Sequence, residues 1–213
     1  AAIIEGIREG TLRISPFDER QLGTNSYDVR LGTWFAYIDP KRLYSNEIYD
    51  QHDEDQMARL WTTRQVAFGT GFILAPYQTV LGHTLEFIGS TGLGDIQITS
   101  NFHTRSGSKR NLFDCNGGAG YGDIGYDGRW TVEITNHHPF PLMLRPGQRI
   151  GQIEFIVVEG QAHRYGESQY SGKYGRDESN WTPEDMLPQS WKDWDVDMVL
   201  NGNVQSFYQG EKP

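Results

Sequence analysis

Short stretches in which apolar and polar residues alternate, divided by glycine and proline, constrain this chain more than any other feature. Over residues 129 to 135 (RWTVEIT), Trp130, Val132 and Ile134 fall on one face and Thr131, Glu133 and Thr135 on the other. That period of two belongs to a half-buried strand. Tyr27, Val29 and Leu31 alternate in the same way with Ser26, Asp28 and Arg30. Further strands are predicted over GFILAP, over DIQITS with Ile96 and Ile98 on one face, over PLMLRP and over RIGQIEFIVV. Turn signals such as Pro146-Gly147 separate them, as in a barrel or sandwich, so the predicted class is mainly β.

A few short helices are expected, two of them legible near the ends. Ile3, Ile4 and Ile7 share a face at helical spacing and Gly10 follows as a C-cap. Thr182-Pro183-Glu184-Asp185 reads as an N-cap, a proline at the first helical position and acids on the positive end of the helix dipole. Nearby Trp181, Trp191 and Trp194 suit a tail that docks on an apolar surface, such as a neighbouring subunit. Residues 45 to 57 (SNEIYDQHDEDQM) are acidic and lack a clear period, which suits a surface insertion without a catalytic role. A length of 213 residues allows one well-buried core, hence one domain with appendages.

Charge and cysteine usage narrow the function. A formal net charge of -9 disfavours a general nucleic-acid binder, because the phosphate backbone rewards a basic surface. A phosphorylated small molecule needs only a local basic pocket. Cys115 is the single cysteine, so neither an internal disulfide nor a multi-cysteine zinc site can form, and a reducing, cytoplasmic compartment is expected. No apolar run approaches the ~20 residues that span a bilayer, so no membrane anchor is expected.

Three segments carry candidate chemistry. Residues 104 to 110 (TRSGSKR) set Arg105, Lys109 and Arg110 around Ser106, Gly107 and Ser108. Cations, hydroxyls and unobstructed backbone together can hold phosphate oxygens; a solvated turn has the same composition. Residues 117 to 128 (GGAGYGDIGYDG) are glycine at about every second position, so the backbone can approach a ligand closely. A sugar ring fits there, with Tyr126 as a flat wall and Asp123 accepting a hydroxyl hydrogen bond; a pair of tight hairpin turns also explains the glycines. Glu133 follows on its strand, where a pocket can raise its pKa and make it a proton shuttle, unless it merely faces solvent. His137 and His138, ahead of Pro139, read as turn residues. The zinc-deaminase signature, His-x-Glu with Pro-Cys-x-x-Cys, is absent, so any deamination proceeds without zinc.

TRSGSKR, DIGYDG and WTVEITN, in this order and spacing, resemble the dCTP deaminases of the dCTP deaminase and dUTPase superfamily. PLMLRPGQRIGQIEF is similar to that family's Leu-Arg-Pro-Gly strand-turn-strand, and NSYDVRLG to its early strand. The resemblance covers about residues 3 to 177, so a domain over 1–177 and an extension over 178–213 are expected. It implies a homotrimer of distorted β-barrels, dUTPase-like in fold, with active sites between subunits. Carried over, it makes Glu133 the general base that activates water against C4 of cytosine, with Ser106 and Arg110 orienting the water and Glu133. Arg105, Gly107, Ser108 and Lys109 would contact the triphosphate together with magnesium, Asp123 the deoxyribose 3′-hydroxyl, and backbone at Thr131 and Val132 the base. Tyr126 would crowd the 2′ position.

RYGESQYSGKYG resembles the family's carboxy-terminal lid, about 160 to 177, with Tyr165 and Lys173 at its closing positions and Asp177 where a glutamine is usual. Tyr121 stands where an arginine is usual, which bears on regulation by dTTP. Arg105-Ser106-Gly107 and residues 147 to 152 (GQRIGQ) are also what the sister dUTPases carry, in which Asp123 would activate water against a phosphate. The expected activity is therefore deamination of dCTP to dUTP and ammonia. The alternatives are a dUTPase, a bifunctional enzyme that continues to dUMP, and a non-catalytic nucleotide-binding regulator.

Overall fold

The computed structural model describes residues 2–90, 96–115, 119–160 and 178–190. They fall into two compact units, one of residues up to 38 with those from 62 to 187, the other of residues 39 to 61 with those from 188 onward. In chain order the elements are α1 (Ala2–Glu9), β1 (Leu12–Ser15), β2 (Tyr27–Arg30), β3 (Trp34–Ile38), α2 (Glu54–Leu60), β4 (Trp61–Gln65), β5 (Phe72–Leu74) and β6 (Thr79–Ser90). There follow β7 (Ile96–Thr104), α3 (Ser106–Arg110), β8 (Phe113–Asp114), β9 (Tyr121–Gly122), β10 (Asp127–Asn136), β11 (Leu142–Leu144) and β12 (Arg149–Glu159).

The class is mainly β with a few short helices, as the alternation predicts. Its strands form three sheets, distorted and not closed into one continuous barrel. The largest runs β4-β3-β6-β10-β8 with β1 also on β6, a second runs β2-β12-β7-β9, and β11 pairs with β5. β10 keeps the predicted period throughout, with Trp130, Val132 and Ile134 buried and Thr131, Glu133 and Thr135 half-exposed. The buried faces meet in one core, which includes Tyr27, Val29, Leu31, Phe35, Phe102, Val132, Ile134 and Ile153.

The sequence pattern does not disclose β1, β3, β4 or β8, nor β6, although β6 lies at the centre of the largest sheet. Residues 80 to 90 are buried except for the half-buried Leu85, so the strand shows no alternation. Its polar members also break up the apolar run: His83, Thr84 and Glu86 are buried. Gly82 admits Ile134 from β10, whose Cδ1 would lie 2.8 Å from an added Cβ. Such close approach is a reason for glycine inside a strand.

In the second unit, α2 begins at Glu54, inside the segment read as a surface insertion, and runs beyond it to Leu60. Asp53 caps it by accepting the Gln56 N–H at 2.9 Å, and Met57 and Leu60 are buried. Only two of the three buried positions in its seven residues are apolar, Gln56 being the third, which is too few to show a period in sequence. The carboxy-terminal segment of the first unit begins a short 3₁₀ helix at Pro183, with Thr182 and Asp185 forming a capping box. It packs on its own chain, and Met186 is buried; Trp191 and Trp194 lie outside the described residues.

Candidate active site

The basic segment begins where β7 ends. The Arg105 N–H donates to the Ile150 carbonyl at 3.3 Å, which ties the segment to β12, and residues from Ser106 onward turn into α3. Asn111 closes that turn, its amide donating to the Gly107 carbonyl at 2.8 Å. Ser106, Gly107, Lys109 and Arg110 are exposed and Ser108 is half-buried. The cations are not equivalent. Lys109 pairs with Asp114, whose carboxyl burial alone would raise; Lys109, the Thr104 hydroxyl at 2.7 Å and the Cys115 N–H at 2.8 Å instead hold it below the usual carboxylate range. Arg105 lies 3.4 Å from Asp28 Oδ2 and Arg149 3.3 Å from the same oxygen. Two guanidinium groups therefore converge on one carboxylate, whose side chain is only 16% exposed.

A cavity of about 310 Å³ opens beside this segment. Arg105, Gly107, Ser108, Asn111 and Gln148 form its polar wall, and Phe113, Leu142, Met143 and Leu144 its apolar wall.

Within the glycine-dense stretch, residues 123 to 126 form the turn between β9 and β10. The Tyr126 N–H donates to the Asp123 carbonyl at 2.9 Å, the Gly125 N–H to the Ser90 carbonyl at 3.1 Å, and Gly125 has φ +83°. A Cβ at Gly122 would sit 2.4 Å from Ser100 Oγ and 2.5 Å from Trp130 Cζ2, so only glycine fits. The Tyr126 ring stands edge-on to Trp130, centroids 5.8 Å apart, and its hydroxyl donates to the Arg129 carbonyl at 2.8 Å. The ring is thus fixed as a wall, while the exposed Asp123 leaves its carboxylate towards solvent.

Glu133 projects from β10 beside Thr131. It is half-buried, and burial pushes its carboxyl above the usual range, opposed only by its own backbone N–H. Such a group is a stronger base than an ordinary glutamate. The Val132 side chain enters the core, which leaves only its backbone for a ligand. Thr131 stands opposite His83 and Val132 opposite Gly82. His83 is buried and held at both ring nitrogens: Nδ1 donates to the Thr84 carbonyl at 2.7 Å, and Nε2 accepts the Trp34 N–H at 3.2 Å. Burial lowers its pKa to about 3.

Among the described residues no hydrogen bond or ion pair joins Glu133 to Ser106 or Arg110. Within one chain the basic segment and the carboxylate strand are thus not joined by a direct polar contact among the described residues. Tyr165, Lys173 and Asp177, the expected lid residues, lie outside the described residues. Asp28 and Arg149 were not singled out from sequence. The alternation that points Asp28 away from the core was the available signal; its pairing with Arg105 joins residues 77 positions apart and leaves no local trace.

A family profile described as dCTP deaminase-like matches residues 1–158. A curated protein of Salinispora tropica named dCTP deaminase, dUMP-forming, is 34% identical over 190 residues, 88% of this chain and 93% of the relative. Another so named, from a Sulfurihydrogenibium species, is 36% identical over 170 residues, 79% of this chain and 88% of the relative. Among solved structures, the 2′-deoxycytidine 5′-triphosphate deaminase of Agrobacterium tumefaciens overlaps 72% of this chain and 46% of its own, with a TM-score of 0.49 and 21% identity. With the profile spanning most of the chain and relatives above 30% identity over nearly their whole length, the chain belongs to the dCTP deaminase-like family.

Proposed function

We propose that this protein deaminates dCTP and carries the product through to dUMP. The observation behind the first step is Glu133, a half-buried carboxyl with a raised pKa on the strand that follows the glycine turn. In the proposed reaction Glu133 takes a proton from water as its oxygen attacks C4 of cytosine. It then delivers that proton to the amino nitrogen as the C4–N4 bond breaks, which releases ammonia. Ser106 and Arg110 orient the water, and backbone at Thr131 and Val132 reads the base.

The end product departs from the expectation of dUTP. The relatives at 34% and 36% identity are named dUMP-forming, and two features of this chain suit a second step. Arg105-Ser106-Gly107 provides cation, hydroxyl and bare backbone for a phosphate chain, and the Asp123 carboxylate, exposed at the turn, is free to activate water against the α-phosphorus. Attack there breaks the bond to the bridging oxygen and leaves dUMP and pyrophosphate.

Magnesium belongs with the triphosphate in this reading. Asp28 and Asp114, the acids beside the basic segment, are both paired with cations, so the phosphates supply the metal's ligands, as is usual for this ion. That no hydrogen bond or ion pair among the described residues joins Glu133 to Ser106 or Arg110 suits a homotrimer in which neighbouring subunits complete each site. dTTP as an inhibitor is part of the same proposal, with Tyr121 the position to vary.

The test is incubation of purified protein with dCTP and magnesium, followed by chromatographic separation of dCTP, dUTP and dUMP. dUMP without accumulating dUTP is the expected result. Accumulating dUTP would assign a deaminase only, and unchanged dCTP with tight binding a regulator.

A further inference from the structure

The guanidinium of Arg129 is held between two aromatic rings, 4.5 Å from the centroid of Phe87 and 4.6 Å from that of Trp181. With its carbon over both rings, it is left to offer hydrogen bonds at its edge. That edge is unmet. Its Nε is sealed from solvent without an acceptor, and no carboxylate or carbonyl among the described residues takes up its terminal nitrogens. The acids whose fields reach it are engaged elsewhere, Glu178 by Arg13 at 3.0 Å and Glu86 by Arg30 at 2.6 Å. A half-buried cation without a hydrogen-bonding counter-charge costs stability, and a ligand oxygen would relieve that cost.

Its place on the strand says which ligand oxygen. The alternation of β10 sets Arg129 on the same face as Thr131 and Glu133, about 7 Å from Thr131 on the side of the Asp123–Tyr126 turn. On the function proposed above, the base lies at Thr131 and Glu133 and the deoxyribose at Asp123. The part of a nucleotide that runs on from the sugar is its phosphate chain.

We propose that Arg129 is a nucleotide-binding residue that takes an oxygen of the phosphate chain, presented edge-on by Phe87 and by Trp181 of the carboxy-terminal segment. That segment is well placed to hold Trp181 there. Glu178 pairs with Arg13, which also holds Asp127, the first residue of β10, at 2.8 Å; the Trp181 ring rests on His83 as well, centroids 4.7 Å apart. The extension thus completes a binding position on the catalytic strand.

The inference rests on the proposed function, and the experiment separates the two. Calorimetric affinities of the full chain for dCTP with magnesium and for deoxycytidine are compared in wild type, Arg129→Gln and Arg129→Lys. Loss of a charge-assisted contact to phosphate weakens dCTP about tenfold or more while deoxycytidine affinity stays within about twofold, and Arg129→Lys recovers part of the loss. Equal weakening of both ligands would mean that Arg129 acts through the fold, and overturns the proposal. Unchanged dCTP affinity overturns it too, including the case in which sedimentation shows a changed oligomer and so assigns the edge to a neighbouring copy. Failure of wild type to bind dCTP overturns the proposed function along with it. Should Arg129→Gln not fold, Arg129→Lys, which keeps the charge and loses the fork, carries the same comparison: selective weakening of dCTP supports the phosphate contact, and none refutes it.

Discussion

Arg30 and Glu86 form a buried ion pair that joins two sheets: Arg30 Nε donates to Oε1 of Glu86 at 2.6 Å and the Arg30 backbone N–H to Oε2 at 2.9 Å. The Glu86 side chain has no exposed surface, and burial raises its pKa even against these donors. Arg30 ends β2 and Glu86 lies in β6, so the pair locks the four-stranded sheet onto the six-stranded one. Removing one partner leaves a charge without compensation. Arg30→Met is expected to lose about 3–5 kcal/mol of stability, measured as a fall in the urea midpoint. The double variant Arg30→Met/Glu86→Met should lose clearly less, since both charges go; an equal loss would show that the pair contributes only through packing.

Glu133→Gln should separate stability from catalysis. The folded protein holds the Glu133 carboxyl above its ordinary value of 4.5, so it binds that proton more tightly than the unfolded chain does. Stability from this source is fully present below pH ~4.5 and is lost as pH rises through the folded pKa. Glutamine has no proton to lose. The variant should therefore melt higher than wild type above that window, converge with it below, and form no dUTP or dUMP. A melting difference independent of pH would remove the argument for a buried, proton-shuttling Glu133.

Sequence disclosed those parts of the fold whose environment is local. β2 and β10 each have one core face and one wetter face, so their alternation was visible, and so were the turns at Gly125 and Gly147, both at positive φ. β6 was not visible because burial on both faces erases the period, and its buried polar residues are satisfied by partners far along the chain: Glu86 by Arg30, and Thr84 by the Trp130 N–H at 3.0 Å. The candidate site divides along the same line. Ser106, Asp123 and Glu133 stand in short motifs and were readable, whereas Asp28, Arg149 and Trp181 gain meaning only from partners 52 or more positions away.

His83 should give the protein an acid-side instability. Both ring nitrogens are engaged in the neutral form and the folded pKa is lowered to about 3, from 6.5 for an unburied histidine. Below pH 6.5 the unfolded chain takes up a proton that the folded chain refuses, so stability falls by up to about 1.4 kcal/mol for each pH unit until pH ~3. A variant without the titrating ring, His83→Gln, should lose stability at pH 7.5 through the broken hydrogen bonds. It should, however, show a flatter melting profile between pH 6.5 and 4. An equally steep profile would assign the acid sensitivity to other groups.

Asp28 should matter for binding more than for chemistry. Its carboxylate pairs with Arg105 at 3.4 Å and accepts a hydrogen bond from Arg149 at 3.3 Å, on the flank of the segment proposed to hold phosphates. Asparagine keeps the size but removes the charge that draws the two guanidinium groups together. They then repel each other, and both must be ordered anew when a nucleotide arrives. The expected outcome for Asp28→Asn is a KM for dCTP raised about tenfold, the worth of roughly one charge-assisted hydrogen bond, with kcat within about twofold because Glu133 and its strand are untouched. Asp28→Glu should restore part of the affinity. A fall in kcat at unchanged KM would place Asp28 in the chemical step and refute the positioning role.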